Sequence, residues 1–215
     1  MTETISARMP LELAPPSPIG ERLRGARRQA GLTVRDVAAR IGVSPSLISQ
    51  IERDKVNPSV STLWGLVTVL GLTMSELFSQ VDGPQASPSS VPGSPPAPLT
   101  AEGSRAVVNL ASGVRWERLT ADSDPLVEFL FVVYPVGASS CDEDSLVRHG
   151  GKEYGYVIRG RLGVRIGFDE HELGPGMALS FDSSSPHRLW AIGEEDAEAI
   201  WVVVGRQSDG RGRLI

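Results

Sequence analysis

LTVRDVAARIGVSPSLISQIERDKVNPSVSTLWGLVTVLGL, residues 32–72, decides how the first third of this chain folds. Thr33 is a good N-cap, and Asp36 three residues on makes a capping-box pattern. Val34, Val37, Ala38 and Ile41 then recur at helical spacing. Gly42 ends that helix, because a glycine accepts the left-handed conformation of a tight turn. Ser44 caps the next helix. Pro45 sits at its first position, where a missing N–H is harmless. Ile48 and Ile51 face inward, and Asn57-Pro58-Ser59 is a turn followed by a cap. Val60, Leu63, Val67 and Leu70 form a further apolar stripe closed by Gly71. Upstream, Ile19, Leu23 and Ala26 mark a helix that stops at Gly31, with Arg22, Arg24, Arg27 and Arg28 on its other faces. Downstream, Thr73 and Glu76 cap a last short helix ending in Leu77 and Phe78. The sum is a five-helix bundle with two helices joined by a very short turn.

The exposed face of the third helix carries Ser46, Leu47, Ser49, Gln50 and Arg53. These side chains are short, or end in groups that bond base edges and phosphates. With Ala38 small where the second helix crosses the third, residues 32–72 resemble the Cro/repressor-type (XRE) helix-turn-helix family. The resemblance implies that the helix starting at Ser44 lies in the major groove of a DNA operator. It implies base contacts from Ser46, Leu47, Ser49 and Gln50, and phosphate contacts from Arg35, Ser44, Arg53, Lys55 and Asn57. Many members carry Gln where Val34 stands, so one phosphate contact usual in the family is absent here. The plainer alternative is a helical bundle used for protein contacts, with its arginines an ordinary solvated face.

Composition and charge set the bounds around this core. The chain has 215 residues, 40% of them hydrophobic and 22% charged, which is ordinary globular usage. One cysteine, Cys141, excludes an intramolecular disulfide. No apolar run reaches the roughly 18 residues of a membrane helix. The first residues lack a basic start followed by an apolar core, so the expected location is cytoplasmic, away from membranes. The net charge of -5 conceals an asymmetry: residues 18–80 carry +3 and residues 105–215 carry -5. A basic front and an acidic back suggest two jobs on one chain. Between them, residues 81–104 hold six prolines and almost no large apolar side chains, the composition of a linker. The expected organisation is a disordered arm at 1–17, a helical domain at 18–80, the linker at 81–104, a second domain at 105–206 and a tail at 207–215.

From residue 105 the apolar period changes to two. Strands are expected at 106–110, 114–119, 127–134, 155–159, 161–167, 177–181, 188–192 and 197–205, separated by Gly, Pro, Asp and Ser. Eight short strands argue for an all-β sandwich or jelly-roll barrel, making the chain a multidomain α + β protein. Residues 149–167 and 173–190 resemble the two motifs of the cupin superfamily. His149, Glu153 and Gly160 fit the first, and Pro175, Gly176 and His187 fit the second. The family's first histidine falls on Val147, so three of four metal-site positions are kept. Two imidazoles and a carboxylate suit a divalent metal such as Fe, Mn or Zn, with positions open for a ligand. The missing fourth ligand favours the other reading, in which His149, Glu153 and His187 make a metal-free polar cluster in a ligand pocket, with Val157 and Phe181 as walls, and no cofactor is required. Strand alternation puts Gly155 on the side of Glu153, leaving space near the centre. His171, in the charged stretch Asp169-Glu170-His171-Glu172-Leu173, reads as part of an exposed hairpin connection. Cys141 lies in an acidic loop, where carboxylates raise a thiol's pKa.

The pairing of domains resembles a bacterial class of helix-turn-helix regulators with a C-terminal cupin. It implies a sequence-specific transcriptional regulator, not an enzyme, whose barrel senses a small-molecule effector and supports a homodimer. Two recognition helices on a two-fold axis read half-sites about one helical turn apart, which one helix alone cannot do selectively. The alternative is a metal-dependent cupin enzyme fused to an autoregulatory DNA-binding module.

Overall fold

The computed structural model describes residues 19–78, 99–122, 124 and 126–205. The arm at 1–17, most of the linker and the tail at 207–215 lie outside the described residues. The helical part consists of α1 (Gly20–Gln29), α2 (Val34–Ile41), α3 (Pro45–Ile51), α4 (Val60–Leu70) and α5 (Met74–Phe78).

Each cap read from the sequence is made. Thr33 Oγ1 accepts the Asp36 N–H at 3.1 Å, and Asp36 Oδ2 accepts the Thr33 N–H at 2.8 Å. The Ser44 and Ser59 hydroxyls accept the N–H groups of Leu47 and Thr62, each at 3.1 Å. The Thr73–Glu76 pair repeats the reciprocal pattern. Between α2 and α3, Gly42 turns the chain at φ 74°, in the left-handed region that a side chain would strain. Leu23, Val37, Ala38, Ile48, Ile51, Leu63, Leu66 and Val67 are buried between the helices. Each large one contributes roughly 1.5–3 kcal/mol relative to exposure.

The second part is all β. A six-stranded antiparallel sheet runs in the order β1 (Val107–Asn109), β2 (Arg115–Arg118), β3 (Val127–Tyr134), β9 (Ala197–Val204), β4 (Lys152–Arg159), β7 (Ala178–Asp182). A three-stranded sheet holds β6 (Asp169–Leu173), β5 (Arg161–Ile166) and β8 (His187–Ile192). Inner faces alternate with outer ones. Leu130, Val132 and Tyr134 of β3 and Ala199, Trp201 and Val203 of β9 meet Leu162 and Val164 of β5 and Leu189 of β8 in the core.

Two expectations need correction. Residues 169–173 are a strand, not a connection. They form an exposed edge on which only Leu173 is buried, so no apolar alternation marks them. Their pairing with β5 is carried by backbone bonds and by cross-strand ion pairs, Arg165 with Glu170 and Arg161 with Glu172. In addition, β4 begins at Lys152, which puts Glu153 inside the sheet, and not ahead of it.

Helix α4 joins the two parts. Its inner side holds Leu63, Leu66, Val67 and Leu70 in the helical core. Its first turns lie on the barrel: the Ser61 N–H donates to the Ser140 carbonyl at 3.3 Å, and the Ala111 N–H donates to the Pro58 carbonyl at 2.8 Å. Arg118 lies over the Phe78 ring, 6.0 Å from its centroid. The buried apolar residues of both parts form one continuous cluster.

Candidate functional site

The first candidate surface is built around α3. Arg35, Ser44, Ser46, Arg53 and Lys55 are exposed, while Ser49, Gln50 and Asn57 are half-buried. Leu47 is also half-buried, because part of it packs against the helical core. Arg53 lies beyond the end of α3, not on it; its Nε donates to the Ser49 carbonyl at 2.8 Å. The Gln50 amide reaches the Ser46 hydroxyl at 3.3 Å, a weak bond that a stronger acceptor would replace. The end of α3 is tied to α1 by Arg27, whose Nε and Nη2 donate to the two carboxylate oxygens of Glu52 at 2.6 and 2.9 Å.

The second candidate site lies in the barrel. β4 supplies Glu153, β8 supplies His187, and the loop before β4 supplies His149. Glu153 Oε1 stands 3.1 Å from His149 Nε2 and 3.2 Å from His187 Nε2. The far nitrogens are also engaged: His149 Nδ1 is 3.1 Å from the Gly150 carbonyl and His187 Nδ1 is 2.9 Å from the Ser185 carbonyl. A neutral imidazole has one N–H. Spent on the backbone, it leaves each Nε2 a lone pair aimed at Glu153 Oε1, which itself has no hydrogen-bond partner. Three buried acceptors therefore converge, and a cation between them is what would satisfy all three. Backbone-anchored imidazoles are also the usual second layer of a metal site. The donor set thus fits a divalent metal; among the described residues it is the one such group of three or more.

Trp201 completes the cluster. Its indole N–H donates to Glu153 Oε2 at 2.5 Å. The ring lies against Gly155, where an added Cβ would come within 2.2 Å of it. The space expected above Gly155 is therefore filled by this indole. Burial pushes the His187 imidazole below its ordinary pKa, against the pull of the Glu153 charge. Burial also pushes Glu153 up, but whenever His149 or His187 carries a second proton, its N–H and its charge outweigh burial and hold the carboxyl below its usual range.

The small cavity at this cluster is lined by His149, Glu153, His187, Val147, Trp116, Tyr134 and other barrel residues, together with Val60 and Trp64 from α4. Val147 puts an aliphatic wall where the cupin pattern has its fourth ligand. Phe181 is not among the lining residues; it packs edge-on against His187, with ring centroids 5.0 Å apart. Val157 is fully buried and also stands outside the lining. Trp64 was missed by reading the sequence, since it sits in an apolar run that signals nothing but core. His171 is exposed on β6, away from the cluster. Cys141 is buried, and burial more than its carboxylate neighbour raises its thiol pKa.

Known families match both parts. The helix-turn-helix family matches residues 23–77 and the cupin domain family matches residues 130–203. The HTH-type transcriptional regulator PuuR of Escherichia coli (strain K12) is 29% identical over 170 residues, spanning 78% of this chain and 84% of that protein. The uncharacterized HTH-type transcriptional regulator y4dJ of Sinorhizobium fredii (strain NBRC 101917 / NGR234) is 39% identical over 64 residues, 30% of this chain and 83% of that one. The crystal structure of an HTH_3 family transcriptional regulator from Vibrio cholerae shares the fold, with a TM-score of 0.62 at 21% identity over 91% of this chain and 99% of that one. Among the described residues no helix is long and apolar enough to cross a membrane. The chain belongs to the helix-turn-helix transcriptional regulators, as a DNA-binding member whose second domain is a cupin.

Proposed function

We propose that this regulator binds a two-fold operator as a homodimer and adjusts that binding to a small molecule in its cupin barrel. The observation that carries the DNA part is α3, capped by Ser44 after a three-residue turn and showing its polar side chains to solvent. In this reading Ser46, Leu47, Ser49 and Gln50 meet base edges. Arg35, Ser44, Arg53, Lys55 and Asn57 meet phosphates, which position the helix without reading sequence. Gln50→Ala is expected to lower selectivity between operator and unrelated DNA by about 1–3 kcal/mol. Lys55→Ala is expected to weaken all sequences alike and to reduce the slope of log affinity against log salt by about 1. Quantitative titration of both variants on a selected operator checks this. Wild-type behaviour of both would overturn the placement of α3.

The barrel is read as a sensor and not a catalyst, supported by the regulators to which the chain is similar. His149, Glu153 and His187 would hold one divalent Fe, Mn or Zn. Such an ion supplies a Lewis acid with open positions for an oxygen or nitrogen donor of the effector. Trp201 holds Glu153 in place, and Val147 keeps one side of the site apolar.

The homodimer is supported by the outer face of the larger sheet. Phe129, Tyr154, Tyr156, Ile158 and Val204 are between 37% and 48% exposed there. Cross-strand register sets Val202 between Phe129 and Tyr154, and Ile200 between Phe131 and Tyr156. At roughly 200 Å² for each large side chain, these five offer about 400 Å². With half-buried Val127, Phe131, Ile200 and Val202 beside them, they would form the apolar centre of an interface of ~800 Å² per partner. A second copy of this chain is the occupant we assign, because an isologous contact needs only one self-matching patch. Tyr156→Glu is expected to convert the dimer to monomer at micromolar concentration in light scattering. A Tyr156→Glu protein that stays dimeric would place the interface elsewhere.

A further inference from the structure

The cavity beside the His149–Glu153–His187 cluster is closed by the other domain. Trp64 and Val60 of α4, each 5% exposed, are the two walls that the barrel does not supply. The Trp64 indole lies tilted against the His149 imidazole, with centroids 4.3 Å apart and 30° between planes. It also packs on Trp116, 5.8 Å away. With the indole seated, the room left is about 30 Å³. That room takes an ion or a few waters and is too small for a body the size of an indole.

We propose that the effector site of this regulator is shared by both domains, and that Trp64 of the DNA-binding domain is its resident occupant, which a small organic effector must displace. The claim rests on the regulator reading above and names its ligand site. The chemistry of the walls describes the ligand. Trp116, Leu130, Val132 and Leu189 give the cavity a mostly apolar wall, and its charged end is the cluster of His149, Glu153 and His187, with Ser140 and Tyr134 as the other polar lining residues. The fitting molecule is therefore planar or compact, apolar in its body and polar at one end, about the size of an indole. A bare metal ion needs no such displacement, because the cluster lies beneath the seated indole.

The displacement has a necessary consequence. Helix α4 is locked on its opposite side into the helical core by Leu63, Leu66, Val67 and Leu70. The indole therefore leaves mainly by lifting α4 from the barrel. That movement breaks the Ser61–Ser140 and Ala111–Pro58 backbone bonds, which fasten the two domains. A ligand shifts an equilibrium only by its difference in affinity for the two states. Here the difference is steric: the docked state has no room.

The test uses the full-length protein, its Trp64→Ala variant, and indole as the probe. In Trp64→Ala, the amides of Ser61 and Ala111 are expected to exchange with solvent at least tenfold faster than in wild type. The amides of Val37 in α2 and Val132 in β3 should keep their protection, showing that both domains stay folded. Indole, titrated calorimetrically, is expected to bind Trp64→Ala at least tenfold more tightly than wild type, whose own indole fills the place. Trp64→Phe, which fills the place in part, should fall between the two and serves if the alanine variant does not fold. Unchanged exchange at Ser61 and Ala111, or equal indole binding by both proteins, would overturn the proposal. Operator binding is measured separately. A wild type that selects no DNA sequence would end the regulator reading, while the exchange and indole results would still decide whether Trp64 occupies the site.

Discussion

Glu52→Ala is expected to destabilise the helical domain by about 3 kcal/mol, at the low end of the ~3–5 kcal/mol typical of breaking a buried ion pair. Glu52 is 8% exposed and receives two hydrogen bonds from Arg27, at 2.6 and 2.9 Å. The third guanidinium bond goes to the Leu32 carbonyl at 2.9 Å, so Arg27 is held by three points. Its pKa is raised, chiefly by the Glu52 hydrogen bond, and it stays charged at every working pH. Without Glu52 that charge loses its partner in a largely closed place. The low end of the range applies because the Arg27 side chain keeps 12% exposure and can turn partly to water. Glu52→Gln keeps the shape and one acceptor, and should cost about 1–2 kcal/mol. The double variant Arg27→Met with Glu52→Leu should recover most of the loss, since apolar isosteres often match a buried pair. Urea unfolding followed by far-ultraviolet circular dichroism reads all three. A Glu52→Ala protein within about 0.5 kcal/mol of wild type, the range of an ordinary surface change, would show that the pair contributes little. Glu52 immediately follows α3, so the same variant should also weaken operator binding by loosening the helix that meets DNA.

The helical domain was legible because its signals are local. A cap and its partner stand three residues apart, and Thr33 with Asp36 or Ser44 with Leu47 can be read without knowing anything distant. The Arg27–Glu52 pair was not legible. Arg27 sits in an arginine-rich helix where one more cation looks like a solvated face, and nothing in the spacing joins it to a carboxylate 25 residues on. The same limit explains β6. Its side chains are charged and exposed, so the signal that places a strand, burial of every second residue, is absent although the backbone pairing is complete. In the barrel, His149, Glu153 and His187 were found because motif spacing survives in sequence. What fills the space around them was not. A glycine at 155 reads as room, yet it exists to let the Trp201 ring lie flat against the strand. Trp64 was hidden for a further reason. The proline-rich stretch after residue 80 points to two independent units, and nothing in the sequence ties residue 64 to the second. The geometry makes it a wall of the second.

Titrating the purified protein with Zn(II), Mn(II) or Fe(II) is expected to raise its stability by about 2.7 kcal/mol at a hundredfold excess over the dissociation constant. For a chain of this size that is a rise of about 5–10 °C in Tm. The expectation rests on the three acceptor atoms that face one another at 3.1 and 3.2 Å with the other imidazole nitrogens already committed to backbone carbonyls. Satisfying them requires positive charge at their centre. A proton on one imidazole supplies it only while that ring is cationic, and burial works against the cation at His187. A divalent ion supplies it without that penalty, because each ligand binds in the form it already has. His187→Ala removes one of three ligands and should abolish the shift. Trp201→Phe leaves the three ligands but releases Glu153 Oε2, and should weaken metal affinity by about 10–100-fold, the usual effect of losing a second-layer bond. Wild-type protein, stripped with chelator and re-titrated, that shows no change in Tm with any of the three ions would rule the metal out. His149, Glu153 and His187 would then be joined by a proton, and the polar end of the cavity would recognise its effector through hydrogen bonds alone.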